Sequence, residues 1–309
     1  MNIEELRVLL IENSKDATEE FKRLFHGRGG LYDGFKYLTI DSIDKVLSVA
    51  FFAKDEDEEK LILMLQEFTI SSRYKTLVVQ RRYEKGSFGE VLVGELDENL
   101  YALENGMKLK LNLISNQNSY YFADMKNGRA FVRENAKDKR VLNLFSYTCA
   151  FSVAAKLGGA LSVSNIDMSK GSLSIGKSNH SLNKIDPKGV SFLPYNILKS
   201  FSKIKQNSPY DLIIIDPPTF QRGSFEATKD YEKIVKKLSQ ISSDGAMVLA
   251  CLNSTELDSE FIINLFKEFA PEFSFVRRLQ NVSEFANLDE QKSLKNLLFS
   301  YSKLPEERS

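Results

Sequence analysis

The segment from Asp211 to Phe220 reads Asp-Leu-Ile-Ile-Ile-Asp-Pro-Pro-Thr-Phe and carries the most chemistry in the chain. Its four apolar residues predict a buried strand, with Asp216 at the carboxyl end. Pro217 and Pro218 then fix an extended turn. Neither proline has an amide proton, so the turn's carbonyl oxygens are left to face a substrate. A carboxylate beside fixed carbonyls suits a planar base edge that carries N–H donors. Phe220 can stack on the same ring. The plainer alternative is a proline-stiffened loop around a core phenylalanine.

Two further strand ends carry polar residues. Val141–Phe145 breaks into Ser146-Tyr147-Thr148-Cys149, and an apolar helix follows. A strand–loop–helix turn of this kind is where nucleotide-like cofactors sit. This one lacks G-x-G-x-x-G, so no close approach of a pyrophosphate is provided. That counts against NAD, FAD and ATP, and it leaves room for S-adenosylmethionine, which has no phosphate. About 20 residues on, Asp167 ends the next apolar run, placed to accept from ribose hydroxyls. Alternatively, Asp167 and Ser169 only cap the next helix.

Elements must bring these positions together. From residue 141 onward, short apolar strands alternate with helix-like segments: Val141–Phe145, Leu161–Ile166, Val190–Leu193, Asp211–Ile215 and Ala246–Cys251, then a late pair near Phe273–Arg277 and Leu297–Tyr301. This predicts an α/β fold with a doubly wound, mostly parallel sheet, whose ligands lie at the carboxyl ends of the strands. The first half reads as a small α+β unit. A helix is expected over residues 1 to about 30, from Leu6, Leu9, Leu10, Phe21, Leu24 and Phe25. Strands follow over 36–52, 76–81 and 107–114, with a short helix over 59–68. The expected domains are 1–118 and 119–309.

Composition narrows the function classes. The 309 residues hold 42 Lys+Arg against 42 Asp+Glu, so a strongly basic arm-type nucleic-acid binder is excluded and any such partner must meet a local patch. Two cysteines (Cys149, Cys251) and two histidines (His26, His180) leave no zinc framework and no metal site is expected. The N-terminus does not read as a signal peptide, and no apolar stretch is long enough for a bilayer. The expectation is a cytoplasmic protein without membrane contact.

Taken in order, the segments Asn143 to Ser152, Gly158 to Ala160, Asp167 to Ser169, Asn179 to Asn183 and Asp216 to Phe220 resemble the class I S-adenosylmethionine-dependent RNA methyltransferases. The nearest group is that of the bacterial large-subunit rRNA methyltransferases I and K/L. Glu104 to Gly106 and Tyr121 to Arg129 resemble that group's lead-in, and the match runs from about Glu104 to Asn253. The first hundred residues match less, and no PUA-type RNA-binding module is seen. The resemblance implies a Rossmann-like, seven-stranded class I methyltransferase domain; the small α+β domain that precedes it is a candidate for RNA or substrate contacts. It implies S-adenosylmethionine as cofactor, and RNA as partner, 23S rRNA or a ribosomal precursor first. By position, Phe145, Ser146, Tyr147 and Thr148 would line the methionine end, with Asp124 closing it. Asp167 would take the ribose, Met168 would flank the adenine, and Asn196 would accept from the adenine amine. Asp216, Pro217, Pro218 and Phe220 would receive the target base. Cys149 stands where many relatives have glycine, and its Cβ is expected to narrow the approach to the cofactor.

Methyl transfer from a sulfonium is an in-line displacement that needs alignment and dryness more than acid–base chemistry. Cytosine C5 methylation would need a thiolate. Cys251 sits one place before the nucleophile position of such relatives, hence on the other strand face, so transfer without a covalent adduct is expected. Arg222, Arg129 and Lys126 are the candidate RNA contacts, among basic residues that also include Lys22, Arg23, Arg28, Arg81 and Arg82. Rival readings are a methyltransferase acting on protein, DNA or a small molecule, and a non-catalytic cofactor-binding ribosome assembly factor.

Overall fold

The computed structural model describes residues 1–86, 88–115, 118–221 and 225–303. The chain divides into two compact units. One is Met1–Ala123 together with Val282–Glu290; the other is Asp124–Asn281 with Gln291–Ser309. The return of 282–290 to the first unit has no counterpart in a single cut at 118/119.

The first unit holds α1 (Ile3–Ser14), β1 (Lys22–His26), β2 (Leu38–Ile43), β3 (Val46–Phe51), α2 (Glu58–Ser71), β4 (Thr76–Arg81), β5 (Gly89–Val93), β6 (Tyr101–Glu104) and β7 (Met107–Lys110). β1 to β5 form one sheet in chain order, antiparallel except for β3 beside β4. Strands alternate their side chains between faces. Leu38, Ile40, Leu47, Val49, Leu77 and Val79 therefore share one face, buried with Leu6, Leu10, Leu61 and Leu65 of the two helices. The opposite face carries neither α1 nor α2; the short 3-10 turn Ser283–Phe285 lies against β1 there. β6 and β7 form a hairpin whose turn residues, Asn105 and Gly106, both have positive φ, the backbone that a two-residue turn demands.

The helix expected to reach residue 30 ends at Ser14, and Lys22–His26 is a strand. A bulge between Arg23 and Phe25 explains the misreading. Strand neighbours normally face opposite ways, but here Leu24 and Phe25 are both buried, which imitates a helical apolar face.

The second unit is a three-layer α/β body. Its elements are α3 (Lys126–Asn135), β8 (Arg140–Leu144), α4 (Ala150–Leu157), β9 (Ser162–Ile166), α5 (Lys170–Leu182), β10 (Val190–Leu193), α6 (Phe201–Lys205), β11 (Tyr210–Ile215), β12 (Phe220–Gln221), β13 (Phe225–Glu226), α7 (Ala227–Val235), β14 (Ser242–Leu252), α8 (Ser259–Phe269), β15 (Phe273–Arg278) and β16 (Lys295–Tyr301). The seven-stranded sheet runs β10-β9-β8-β11-β14-β16-β15, with only β16 antiparallel to its neighbours. This is the expected Rossmann-like arrangement. Alternate residues of β11 feed two cores, Ile213 and Ile215 into one, Leu212 and Ile214 into the other. That two-sided burial is why these strands read as unbroken apolar runs. Strand order reverses between β8 and β11, which opens a crevice at their carboxyl ends.

Candidate active site

The turn after β8 is built on left-handed backbone. Phe145, Tyr147 and Cys149 have φ of 57°, 44° and 60°, a region that costs a side-chain-bearing residue on the order of 1 kcal/mol. Hydrogen bonds hold the turn in place. Ser146 donates its N–H to the Ile166 carbonyl at 3.0 Å. Tyr147 donates its N–H to Asp167 Oδ2 at 2.8 Å, and Asn179 Nδ2 donates to the Thr148 carbonyl at 2.9 Å.

Asp167 thus ties the two strand ends together. Its Oδ1 accepts from the Ser169 N–H at 2.8 Å, while the side chain of Ser169, not Asp167, caps α5. Each carboxylate oxygen still has lone-pair capacity for a hydroxyl. Beside it lies a small hollow lined by Phe145, Asp167, Met168, Asn196, Ile197, Leu198 and Gln221. Asn196 accepts from the Lys199 N–H at 3.1 Å through its carbonyl, and its amide lies 3.3 Å from the Met168 sulfur. The hollow has an acidic rim at Asp167 over an apolar floor of Met168, Ile197 and Leu198.

Cys149 does not narrow that approach. It is fully buried, and burial pushes its thiol up to about 12. It packs under α5, where a Cβ on Gly176 would come within 2.5 Å of its sulfur.

Asp216 follows β11 at the other side of the crevice. Its carboxyl is pushed up to about 7, first by withdrawal from water, then by the Asp124 carboxylate, with the Arg129 guanidinium pulling down. Pro217 is buried and Pro218 exposed. Among the described residues neither proline carbonyl accepts a hydrogen bond. The Thr219 hydroxyl donates to the Asn253 carbonyl at the end of β14. The Phe220 ring is 66% exposed on the short β12–β13 ribbon. Behind the ribbon, Phe225 packs edge-on against Phe145, with ring centroids 4.9 Å apart.

Two candidate residues change standing. Arg129 is 2% exposed: it lies inside the fold near Asp216 and offers no surface to a phosphate. Arg222 lies outside the described residues, and Lys126 is half-buried at the start of α3. Cys251 is fully buried, its thiol raised well above the ordinary range by burial and by Asp216 and Asp124.

The motif reading missed the apolar floor of Ile197 and Leu198, which follow Asn196 without any pattern of their own. It also missed a buried polar chain behind the site. Asn143 Nδ2 donates to Asn165 Oδ1 at 2.9 Å, and Asn165 Nδ2 donates to Ser152 Oγ at 3.0 Å. Ser152 Oγ lies 2.9 Å from His180 Nε2, and His180 Nδ1 lies 2.7 Å from the Gly176 carbonyl. That carbonyl can only accept, so Nδ1 carries the proton and Nε2 accepts from Ser152. Burial lowers the His180 pKa and keeps the ring neutral.

Among the described residues, no helix is long and apolar enough to cross a membrane, and no cluster of three or more His, Cys, Asp or Glu could hold a metal ion.

Known proteins resemble this chain in fold and in sequence. SMU.776, a provisionally assigned methyltransferase solved with S-adenosylhomocysteine, superposes with a TM-score of 0.86 at 24% identity, covering 97% of this chain and 82% of that one. Bacillus subtilis YwbD, provisionally named a ribosomal RNA large subunit methyltransferase, is 31% identical over 284 residues, 86% of this chain and 70% of that protein. Ribosomal RNA large subunit methyltransferase I of Cronobacter sakazakii is 27% identical over 285 residues, 87% of this chain and 71% of its own length. The resemblance carried by the motifs is borne out. The profile of a family described as S-adenosylmethionine-dependent methyltransferase matches residues 22–300, so the chain belongs to that family and is an enzyme whose cofactor is S-adenosylmethionine.

Proposed function

We infer that the enzyme methylates a base of RNA, with 23S rRNA its substrate, by direct in-line transfer and without a covalent enzyme–base adduct. The observation that carries this is the strand end at 216–220. There an exposed Phe220 ring, two proline carbonyls that accept no hydrogen bond among the described residues and a carboxyl poised near neutrality share one turn. The names of the relatives YwbD and methyltransferase I support RNA of the large ribosomal subunit.

S-adenosylmethionine, when bound, supplies a methyl group on a sulfonium. Asp167 holds its ribose, Met168 and Ile197 flank its adenine, and the Asn196 carbonyl accepts from the adenine amine. Phe145, Ser146, Tyr147 and Thr148 wall the methionine end. Asp124 and Asp216, two carboxylates near one guanidinium, favour a cation there. Phe220 stacks on the target base. Asp216 and the Pro217 carbonyl hold its N–H edge and stabilise positive charge on an amine acceptor. A ring-nitrogen acceptor would need only the alignment. A buried Cys251 thiol far above its ordinary pKa supplies no thiolate, which supports transfer without an adduct.

Incubation with labelled S-adenosylmethionine, followed by separation of RNA, DNA and protein, tests the acceptor class: label is expected in RNA. Nucleoside mass spectrometry of a strain lacking the gene should show one methylated nucleoside missing from 23S rRNA. A loss confined to tRNA, or label confined to protein or DNA, would overturn the assignment.

A further inference from the structure

The face of the five-stranded sheet turned away from α1 and α2 gathers three arginines around one carboxylate. Arg23 pairs with Asp41 across β1 and β2 through Nε and through Nη2 at 3.2 Å. Arg28 follows β1 and Arg82 follows β4. Both place their guanidinium over the same ring, 4.1 Å and 5.1 Å from the centroid of Phe52. Arg23 in turn lies 4.5 Å over Phe285.

One carboxylate does not neutralise three guanidiniums, although Asp41 also acts on Arg82. Arg82 donates Nε to Gln80 Oε1 at 2.7 Å. Arg28 is exposed and, among the described residues, makes no ion pair or hydrogen bond. Asp41, the one carboxylate, is engaged by Arg23. Arg81 makes the contrast: it faces the other way and pairs with both Glu58 and Glu90. The crowding shows in the titration. Arg28 is lowered by burial and then by Arg23, and Arg82 is lowered mainly by burial. His26 accepts from Arg23 at Nδ1 and is pushed down to about 3 by burial, Arg23 and Arg28, so it adds no charge.

A guanidinium stacked on a ring uses its flat face and leaves its in-plane N–H groups directed outward. That is the geometry with which arginine grips a phosphate by two hydrogen bonds. We propose that this face binds the phosphodiester backbone of RNA, with Arg28 and Arg82 each on a phosphate and Phe52 fixing their planes. The assignment rests on the reading of RNA as the acceptor, and it gives the first unit its role: holding substrate, not reacting with it.

The test is fluorescence anisotropy of a labelled single-stranded RNA against salt, for wild type, Arg28→Ala, Arg28→Glu and Arg28→Ala/Arg82→Ala. Each phosphate contact contributes roughly 0.7 to the slope of log affinity against log salt. The double variant should therefore flatten that slope by about 1.4 and bind roughly tenfold more weakly at moderate salt. Arg28→Glu should bind more weakly than Arg28→Ala. S-adenosylmethionine affinity should stay at the wild-type value, and in methylation assays KM should rise while kcat holds. Unchanged affinity and slope, or losses matched by equal losses of cofactor affinity, would overturn the proposal. If wild type methylates RNA and the variants keep its KM and slope, this site alone is wrong. If wild type methylates no RNA, the functional assignment itself fails.

Discussion

Replacing Asp216 by Asn should abolish activity and stabilise the cofactor-free protein, and the second effect has a sign fixed by titration. The Asp216 carboxyl rises from 3.8 to about 7 in the folded protein. Between those values the folded state keeps a proton that the unfolded chain has lost. The folded state binds more protons there, so stability falls as pH rises through the window. The loss is absent below 3.8 and complete above about 7. A rise of this size is worth about 4 kcal/mol at 1.36 kcal/mol per pH unit. Asp216 retains some exposure, and solvent screening reduces the figure to roughly 2 kcal/mol.

Asn has the same shape and does not titrate, so it escapes the penalty. Thermal unfolding of cofactor-free wild type and Asp216→Asn should nearly coincide at about pH 4. The variant should then gain roughly 4–8 °C by about pH 8.5, at 2–4 °C per kcal/mol for a domain of this size. Methyl transfer should fall by about two orders of magnitude or more, the range seen when a preorganised charge-stabilising group is removed. A stability difference that does not change between these pH values would refute the reasoning, because it would mean Asp216 ionises as freely in the fold as outside it.

Cys251→Ala should cost about 1 kcal/mol of packing and leave methyl transfer near wild type; a collapse of activity at preserved stability would revive a covalent mechanism. Gly176→Ala drives a Cβ against the Cys149 sulfur and should destabilise by about 1–3 kcal/mol. Adding Cys149→Gly should restore most of it, and additive losses in that double-mutant cycle would show that the two sites do not touch. Asn165→Leu strands the Asn143 amide and takes one donor from Ser152, which keeps its bond to His180, and should cost about 2 kcal/mol or more in denaturant unfolding; a loss below about 1 kcal/mol would mean water enters behind β9.

The second unit was legible because parallel strands buried on both faces write themselves as runs such as Leu212 to Ile215. The chemistry then has to follow each run, as Asp167 and Asp216 do. The first unit was less so. β5 is an edge strand with no fully buried residue, and the bulge in β1 hid a strand inside a helical spacing. Nothing local could announce that 282–290 joins the first unit, because that pairing spans most of the chain. Burial of a charge was equally silent. Arg129 sits in a stretch of Lys, Asn, Gly and Arg that reads as surface, and only its place under Asp216 makes it a tuning group.

The turn after β8 shows how this chain does without a glycine-rich loop. Three side-chain-bearing residues take left-handed backbone, each at a cost that glycine would avoid. The same turn is locked by the Asp167 carboxylate, the Ile166 carbonyl and Asn179. The glycine lies across the contact, at Gly176, where α5 must come close enough to cover Cys149. Its neighbours Asn179 and His180, one turn on, bind the turn and the buried chain of Ser152 and Asn165. Asp167 holds Tyr147 and Asn179 holds Thr148, so this part of α5 helps set the shape of the turn. Backbone strain and helix approach are one coupled arrangement.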